Sequence, residues 1–130
     1  MESQLYYIDL FAGAGGMSEG FMRAGFVPVA HVEHNTSACF TLKTRMAYYY
    51  LKQAKKEDIY YSYLRGDMNR NEFYSYIPSE VLDSVINKNI GKENLSIFKT
   101  IDSILGGKKI DLIIGGPPCQ AYSYLGRAAL

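Results

Sequence analysis

Near the start of the chain an apolar run gives way directly to Ala12-Gly13-Ala14-Gly15-Gly16 and then to a helical pattern, and this succession constrains the fold more than any other feature. Residues 5–11 read as a first strand and residues 18–24, which include Phe21 and Met22, as a helix. Glycines between them permit φ values denied to other residues and let a ligand approach the main chain. The N-terminus of the helix adds unpaired amide donors. After Gly25 a second strand, residues 27–32, ends at Glu33, about twenty residues past Gly13. A carboxylate at that distance can accept hydrogen bonds from ribose hydroxyls. The loop departs from the dinucleotide fingerprint, because Gly16 is additional and Ser18 stands at the third glycine position.

A second motif follows a later apolar run. Residues 110–114, interrupted only by Asp111, suit a buried strand of a parallel sheet, and Gly115-Gly116 end it. The next residues are Pro117, Pro118, Cys119 and Gln120. Each proline fixes φ, and Pro118 also restricts the residue before it, so the backbone that delivers Cys119 has lost much of its freedom. The loop begins at a strand's carboxyl end, where open α/β sheets place their chemistry.

Asp9-Leu10-Phe11-Ala12-Gly13-Ala14-Gly15-Gly16, then Glu33, then Gly116-Pro117-Pro118-Cys119-Gln120, taken in that order, resemble the DNA (cytosine-5) methyltransferases. The resemblance covers residues 6–127, with a weak match between about 51 and 95. It implies a Rossmann-like, S-adenosylmethionine-dependent methyltransferase fold, here as an incomplete amino-terminal portion. It also implies that Phe11 stacks on the cofactor's adenine and that Ala12, Gly13, Gly15 and Gly16 surround the methionine part. Glu33 would take the ribose hydroxyls, His34 would pack against the adenine, and Pro118 would lie between cofactor and target base. Cys119 would attack C6 of a cytosine turned out of the duplex, which activates C5 toward the methyl group. Sulfur suits both steps, being nucleophilic as a thiolate and able to leave when the adduct collapses. The family also carries an aspartate at the end of a third strand that meets the adenine amino group. Here the nearest positions hold Asn94 and Ser96, with Asp67 and Asp102 at the wrong distance, so the Asn94 amide oxygen is the candidate acceptor.

The resemblance implies further parts that do not appear before Leu130: a glutamate that contacts the cytosine ring, later arginine motifs and a domain that reads DNA sequence. A single-chain enzyme of this kind needs roughly two to three times this length, and 130 residues support one modest domain. The expectation is therefore an amino-terminal portion, either part of a longer chain or one that works with a second polypeptide carrying the remaining motifs. A sheet of three or four strands would leave the edge beside residues 110–114 open.

A net charge of +1 lacks the basic excess that duplex binding usually requires, which agrees with the absence of a recognition domain. No apolar stretch approaches the roughly twenty residues of a membrane span, and the start lacks a signal-peptide pattern, so a cytoplasmic location without membrane contact is expected. Cys39 and Cys119 form no Cys-x-x-Cys and no metal-ligand spacing, so reduced thiols and no metal are expected.

Between the motifs, residues 36–56 read as a helix capped by Asn35 or Thr36, and residues 51–95 as a helical insertion. The insertion contains a turn at Arg65-Gly66-Asp67 and a helix over 79–87. Ile97, Phe98, Ile101, Ile104 and Leu105 recur at helical spacing, and Gly106-Gly107 supplies the cap. The tyrosines at 48–50, 60, 61 and 63 read first as packing and second as a base-stacking platform. Cys39 and His31 read as structural. Two other function classes stay open beside the methyltransferase: a non-catalytic S-adenosylmethionine-binding or interaction module, and a Rossmann-type oxidoreductase, which the glycine pattern and the Pro-Pro-Cys-Gln loop disfavour.

Overall fold

The computed structural model describes residues 3–118. Strands β1 (Tyr6–Leu10), β2 (Val27–Glu33), β3 (Val85–Asn87) and β4 (Leu112–Gly115) form one sheet in the order β3-β2-β1-β4, and every neighbouring pair is parallel. Helix α1 (Gly16–Arg23) joins β1 to β2. Helices α2 (Thr36–Gln53), α3 (Glu57–Leu64), α4 (Arg70–Ser75) and α5 (Ser79–Asp83) lie between β2 and β3, and α6 (Asn94–Leu105) leads into β4. The chain thus steps outward from β1 to β3 and then returns to the other side of β1. Such a reversal opens a crevice at the carboxyl ends of the two strands beside it. The architecture is the Rossmann-like α/β fold expected from the sequence.

Parallel strands are buried on both faces and need apolar residues on each. On one face Ile8, Ala30, Val32 and Ile86 close against Ile97 and Ile101 of α6. On the other, Cys39, Leu42 and Met46 of α2 pack with Ala12 and Val85. Helix α2 is apolar on a further side, where Ala47 and Leu51 meet Phe73 and Ile77, giving α3, α4 and α5 a small core of their own. Pro28 has no amide hydrogen to give an interior strand. The register accommodates it by shifting between Tyr7 and Ile8, so that Tyr7 faces Pro28 while Ile8 faces Ala30.

Three expectations change in detail. The helix expected over 79–87 ends at Asp83, and Val85–Asn87 is a strand paired with His31, Val32 and Glu33. Val85 and Ile86 are β-branched and buried, so pairing with β2 overrides local helical continuity. The third strand of the main sheet therefore lies within the stretch read as a helical insertion. The strand expected over 110–114 starts at Leu112, because Asp111 is bonded across the strand start: its Oδ2 accepts from the Tyr6 amide at 2.8 Å and its own amide donates to the Tyr6 carbonyl at 2.9 Å. The helix expected over 36–56 ends at Gln53, and Lys55 takes φ 57. Asn35 is its cap, accepting from the Ala38 amide at 2.9 Å.

Gly115 is glycine for a steric reason. A Cβ there would lie 2.6 Å from the Leu10 carbonyl oxygen, which is backbone of the neighbouring strand, whereas a Cβ on Gly116 would meet nothing within 4 Å. Gly115→Ala is expected to destabilise the chain by about 2 kcal/mol or more through loss of the β1–β4 pairing, and Gly116→Ala by much less. Urea unfolding of the two variants checks this, and equal midpoints would contradict the steric account.

Candidate cofactor site

The crevice at the switch point is built from three loops. At the end of β1, Phe11 takes φ 55, a left-handed conformation that costs a non-glycine residue about 1–3 kcal/mol. The turn brings the Ala12 amide within 3.0 Å of the Val32 carbonyl, to which it donates, so the loop is fastened to the end of β2. Gly13 and Gly15 follow with φ 57 and 90, and α1 starts at Gly16. These glycines serve different needs. A Cβ on Gly15 would strike Leu42 Cδ2 at 2.8 Å, whereas one on Gly13 or Gly16 would project into open space. Bare backbone therefore faces a space that a ligand could enter.

Glu33, at the end of β2, is 7% exposed. Its Oε1 accepts from the Gly13 amide at 3.0 Å and its Oε2 from the Asn35 amide at 2.7 Å. The carboxylate thus joins the β1–α1 loop to the β2–α2 loop, and each oxygen keeps accepting capacity for a hydroxyl. His34 is exposed, with Nδ1 3.4 Å from Glu33 Oε2. The Cys39 thiol donates to the Glu33 carbonyl at 3.3 Å, and burial pushes its pKa up to about 11, so it stays protonated and structural.

Beyond β4, Gly116, Pro117 and Pro118 leave the sheet at the same end and are exposed. Cys119 and Gln120 lie outside the described residues. At the end of β3 stands Asn87, paired with Glu33, and its Nδ2 donates to Thr36 Oγ1 at 3.1 Å. Asn94, expected in that position, instead begins α6 and accepts from the Gly91 amide at 2.7 Å. Asn94 is not at a strand end because the third strand ends seven residues earlier, within the stretch read as a helix over 79–87. Asn87 is the strand-end amide that replaces it.

Beneath the loops lies a buried polar group that the sequence reading did not single out, apart from His31. Tyr7 Oη is 2.5 Å from Ser18 Oγ, which is 2.6 Å from His31 Nε2, and all three residues are fully buried. Asp9, paired in register with His31, is 1% exposed, and its Oδ2 has no hydrogen-bond partner. Burial first, and then the charge of Glu33, raise the Asp9 pKa from 3.8 to about 6. Burial lowers that of His31 to about 4, so its imidazole is neutral at pH 7. The available signal was an aspartate inside an otherwise apolar strand. Among the described residues no group of three or more His, Cys, Asp or Glu could hold a metal ion, and no helix is long and apolar enough to cross a membrane.

In doubly wound α/β proteins a ligand lies at this position, outside the carboxyl ends of the strands at the switch point. The sequence relatives are more specific. The family described as C-5 cytosine-specific DNA methylase matches residues 5–70. A type II methyltransferase of Bacillus paralicheniformis is 38% identical over 95% of this chain and 32% of its own length. One from a Picosynechococcus strain is 32% identical over 98% of this chain and 36% of its own, and one from Herpetosiphon aurantiacus is 32% identical over 92% and 64%. The chain therefore spans about a third of the first two relatives. No solved structure matches it significantly. The chain belongs to the C-5 cytosine-specific DNA methylase family.

Asp9 gives a test of the site's electrostatics. Its folded pKa lies above the unfolded value, so its contribution is complete below about pH 3.8 and is lost as pH rises through about 6. Above that, the buried carboxylate costs the fold about 3 kcal/mol. Asp9→Asn is expected to match the parent near pH 3.5 and to exceed its stability by about 1–3 kcal/mol at pH 8. Urea unfolding across that range reads the gap, and a gap that narrows with rising pH would refute the assignment.

Proposed function

We propose that this chain is the cofactor-binding and nucleophile-bearing part of a DNA cytosine-5 methyltransferase that uses S-adenosylmethionine. The observation that carries the reading is the Glu33 carboxylate fixed by the Gly13 and Asn35 amides at the mouth of the crevice. The residues present fit the cofactor: Gly13 and Gly16 leave the space above the loop free, and Glu33 has accepting capacity left. S-adenosylmethionine, when bound, supplies an electrophilic methyl group. In this reading Phe11 stacks on its adenine, Ala12, Gly13, Gly15 and Gly16 surround its methionine part, Glu33 holds its ribose and His34 flanks the adenine. Pro118 separates cofactor from base.

Catalysis then turns on Cys119. A cytosine rotated out of the duplex, at a cost of a few kcal/mol, exposes C6 to the thiolate. Formation of the S–C6 bond moves electron density to C5, which takes the methyl group. Loss of the C5 proton and breakage of the S–C6 bond then return the thiolate and restore the ring. The remaining motifs come from a continuation of the chain or from a second polypeptide. Among the described residues β4 has no partner on its outer edge, Ile113 there is 61% exposed and Phe98 of α6 is 60% exposed, which supports an added neighbour. Membership of a type II modification system is part of the same proposal.

Two measurements test it. Calorimetric titration of S-adenosylhomocysteine into the chain should show binding that Glu33→Ala weakens by about 1–3 kcal/mol, the usual loss for a hydrogen bond to a charged group. Unchanged affinity in that variant would remove the ribose role. With the remaining motifs supplied, DNA containing 5-fluorocytosine should form a covalent adduct through Cys119, and Cys119→Ser should form none. An adduct with the serine variant would exclude Cys119 as the nucleophile.

A further inference from the structure

A second cleft lies on the outer side of α2, where α1 borders it and α3 and α4 fold over it. It encloses about 510 Å³, within the range of small-ligand sites. Two guanidinium groups line it. The Arg70 guanidinium carbon lies 3.4 Å from the centroid of the Phe40 ring, and Arg70 takes part in none of the ion pairs among the described residues. Stacking on an aromatic face fixes the plane of a guanidinium and leaves its donor fork for an acceptor in that plane. Arg45 reaches the cleft's Glu19 through Nη1, while its buried, unpartnered Nε lies beside the glycine loop. Two cations in one cleft call for acceptors.

The carboxylate in the cleft does not meet this demand. Glu19 accepts from Tyr49 Oη at 2.7 Å and from Arg23 Nε at 3.1 Å, and it reaches Arg45 only through Nη1 at 3.4 Å. Three donors share one acid, so the cleft keeps a positive excess. Its wall is aromatic: Tyr48 and Tyr60 lie with ring centroids 4.8 Å apart, both half-buried. Tyr63 also lines the cleft, but its ring is stacked on Phe73 at 4.4 Å and is committed to the core of the insertion. Tyr48 and Tyr60 keep part of their surface toward the cleft, although Tyr60 also packs beside Phe73 at 6.2 Å between centroids.

We propose that this cleft binds a nucleotide, with its phosphate across Arg45 and Arg70 and its base against Tyr48 and Tyr60. Planar guanidinium pairs suit phosphate oxygens, and stacking on an aromatic side chain adds about 1–3 kcal/mol per base. The phosphate can be the monoester of a free nucleotide or the diester of a single strand. The proposal does not rest on the methyltransferase reading, because none of the residues given a role toward the cofactor lines the cleft.

The test is calorimetric titration of the full chain with three probes: inorganic phosphate, a deoxynucleoside monophosphate and a single-stranded hexanucleotide. Binding of the monophosphate, or of the hexanucleotide, at least tenfold tighter than inorganic phosphate is expected, and the tighter of the two identifies the source. Arg70→Gln should weaken that binding at least tenfold, as should Tyr60→Leu. Arg70→Lys, which keeps the charge and loses the fork, should fall between. Glu33→Ala, on the cofactor side, should change it less than twofold. Thermal melts confirm that each variant is folded, and Arg70 is exposed, so its replacement leaves the core intact. Binding that survives both Arg70 variants overturns the proposal, as does binding removed by Glu33→Ala, which would place the nucleotide in the cofactor crevice. Binding no tighter than that of inorganic phosphate overturns it too.

Discussion

The arrangement at the mouth of the sheet depends on one carboxylate. Glu33 accepts from Gly13 on the loop after β1 and from Asn35 on the loop after β2, and both bonds go to a charged acceptor in a nearly dry setting. Without it, the Gly13 amide would lose its partner and the loop after the left-handed turn at Phe11 would keep the backbone bonds from Ala12 to Val32 and from Gly15 to Ala12. The same carboxylate therefore does two things. It stabilises the glycine loop in a conformation that costs free energy, and it offers its remaining lone pairs at the site where a ribose would lie. The positioning role, together with the proposed binding role, accounts for this acid at the end of the strand and not one residue further on, where His34 is exposed.

Below this junction the sheet carries polar residues that an apolar strand would avoid. Tyr7 and Ser18 answer one another and His31 Nε2, while His31 Nδ1 is left without a partner. Asp9 is not answered, and its neutral form is favoured up to about pH 6. His31 shifts the other way and stays neutral down to about pH 4. Between those limits the two register partners sit uncharged side by side in the sheet, the arrangement that costs least in a dry interior. Above pH 6 a buried negative charge appears next to Glu33 and directly beneath the candidate cofactor loop, so the site's electrostatics change within the physiological range.

The parts legible in the sequence are those whose chemistry is local. Gly13, Gly15 and the apolar runs beside them give β1, α1 and β2 almost to the residue, because a left-handed φ and a short buried strand each leave a mark in composition. Glu33 was readable from its spacing to Gly13, and the two residues are indeed hydrogen-bonded. What was not readable depends on partners distant in the chain. Val85–Asn87 has three residues and no flanking glycine, and it becomes a strand only because the edge of β2 is there to pair with it. That single misreading also displaced the strand-end amide from Asn87 to Asn94. The start of β4 moved for a similar reason, since Asp111 is bonded to Tyr6, 105 residues away. The role of Cys119 was read from the motif alone, and its surroundings lie outside the described residues.

Helix α2 ties the two clefts into one mechanical unit. One side of it, with Cys39, Leu42 and Met46, closes the sheet, and another, with Ala47 and Leu51, supports α3, α4 and α5. A helix packed on two sides has little freedom to shift without disturbing both cores. Its Arg45 lines the outer cleft, and the same side chain would stand 3.2 Å from a Cβ on Gly15, close enough that this glycine is needed to make room for it. The Cδ–Nε part of Arg45 thus lies against the glycine loop while Nη1 reaches Glu19 in the outer cleft. The insertion is therefore more than a solvated appendage of the sheet, because its core and the sheet's rest on the same helix.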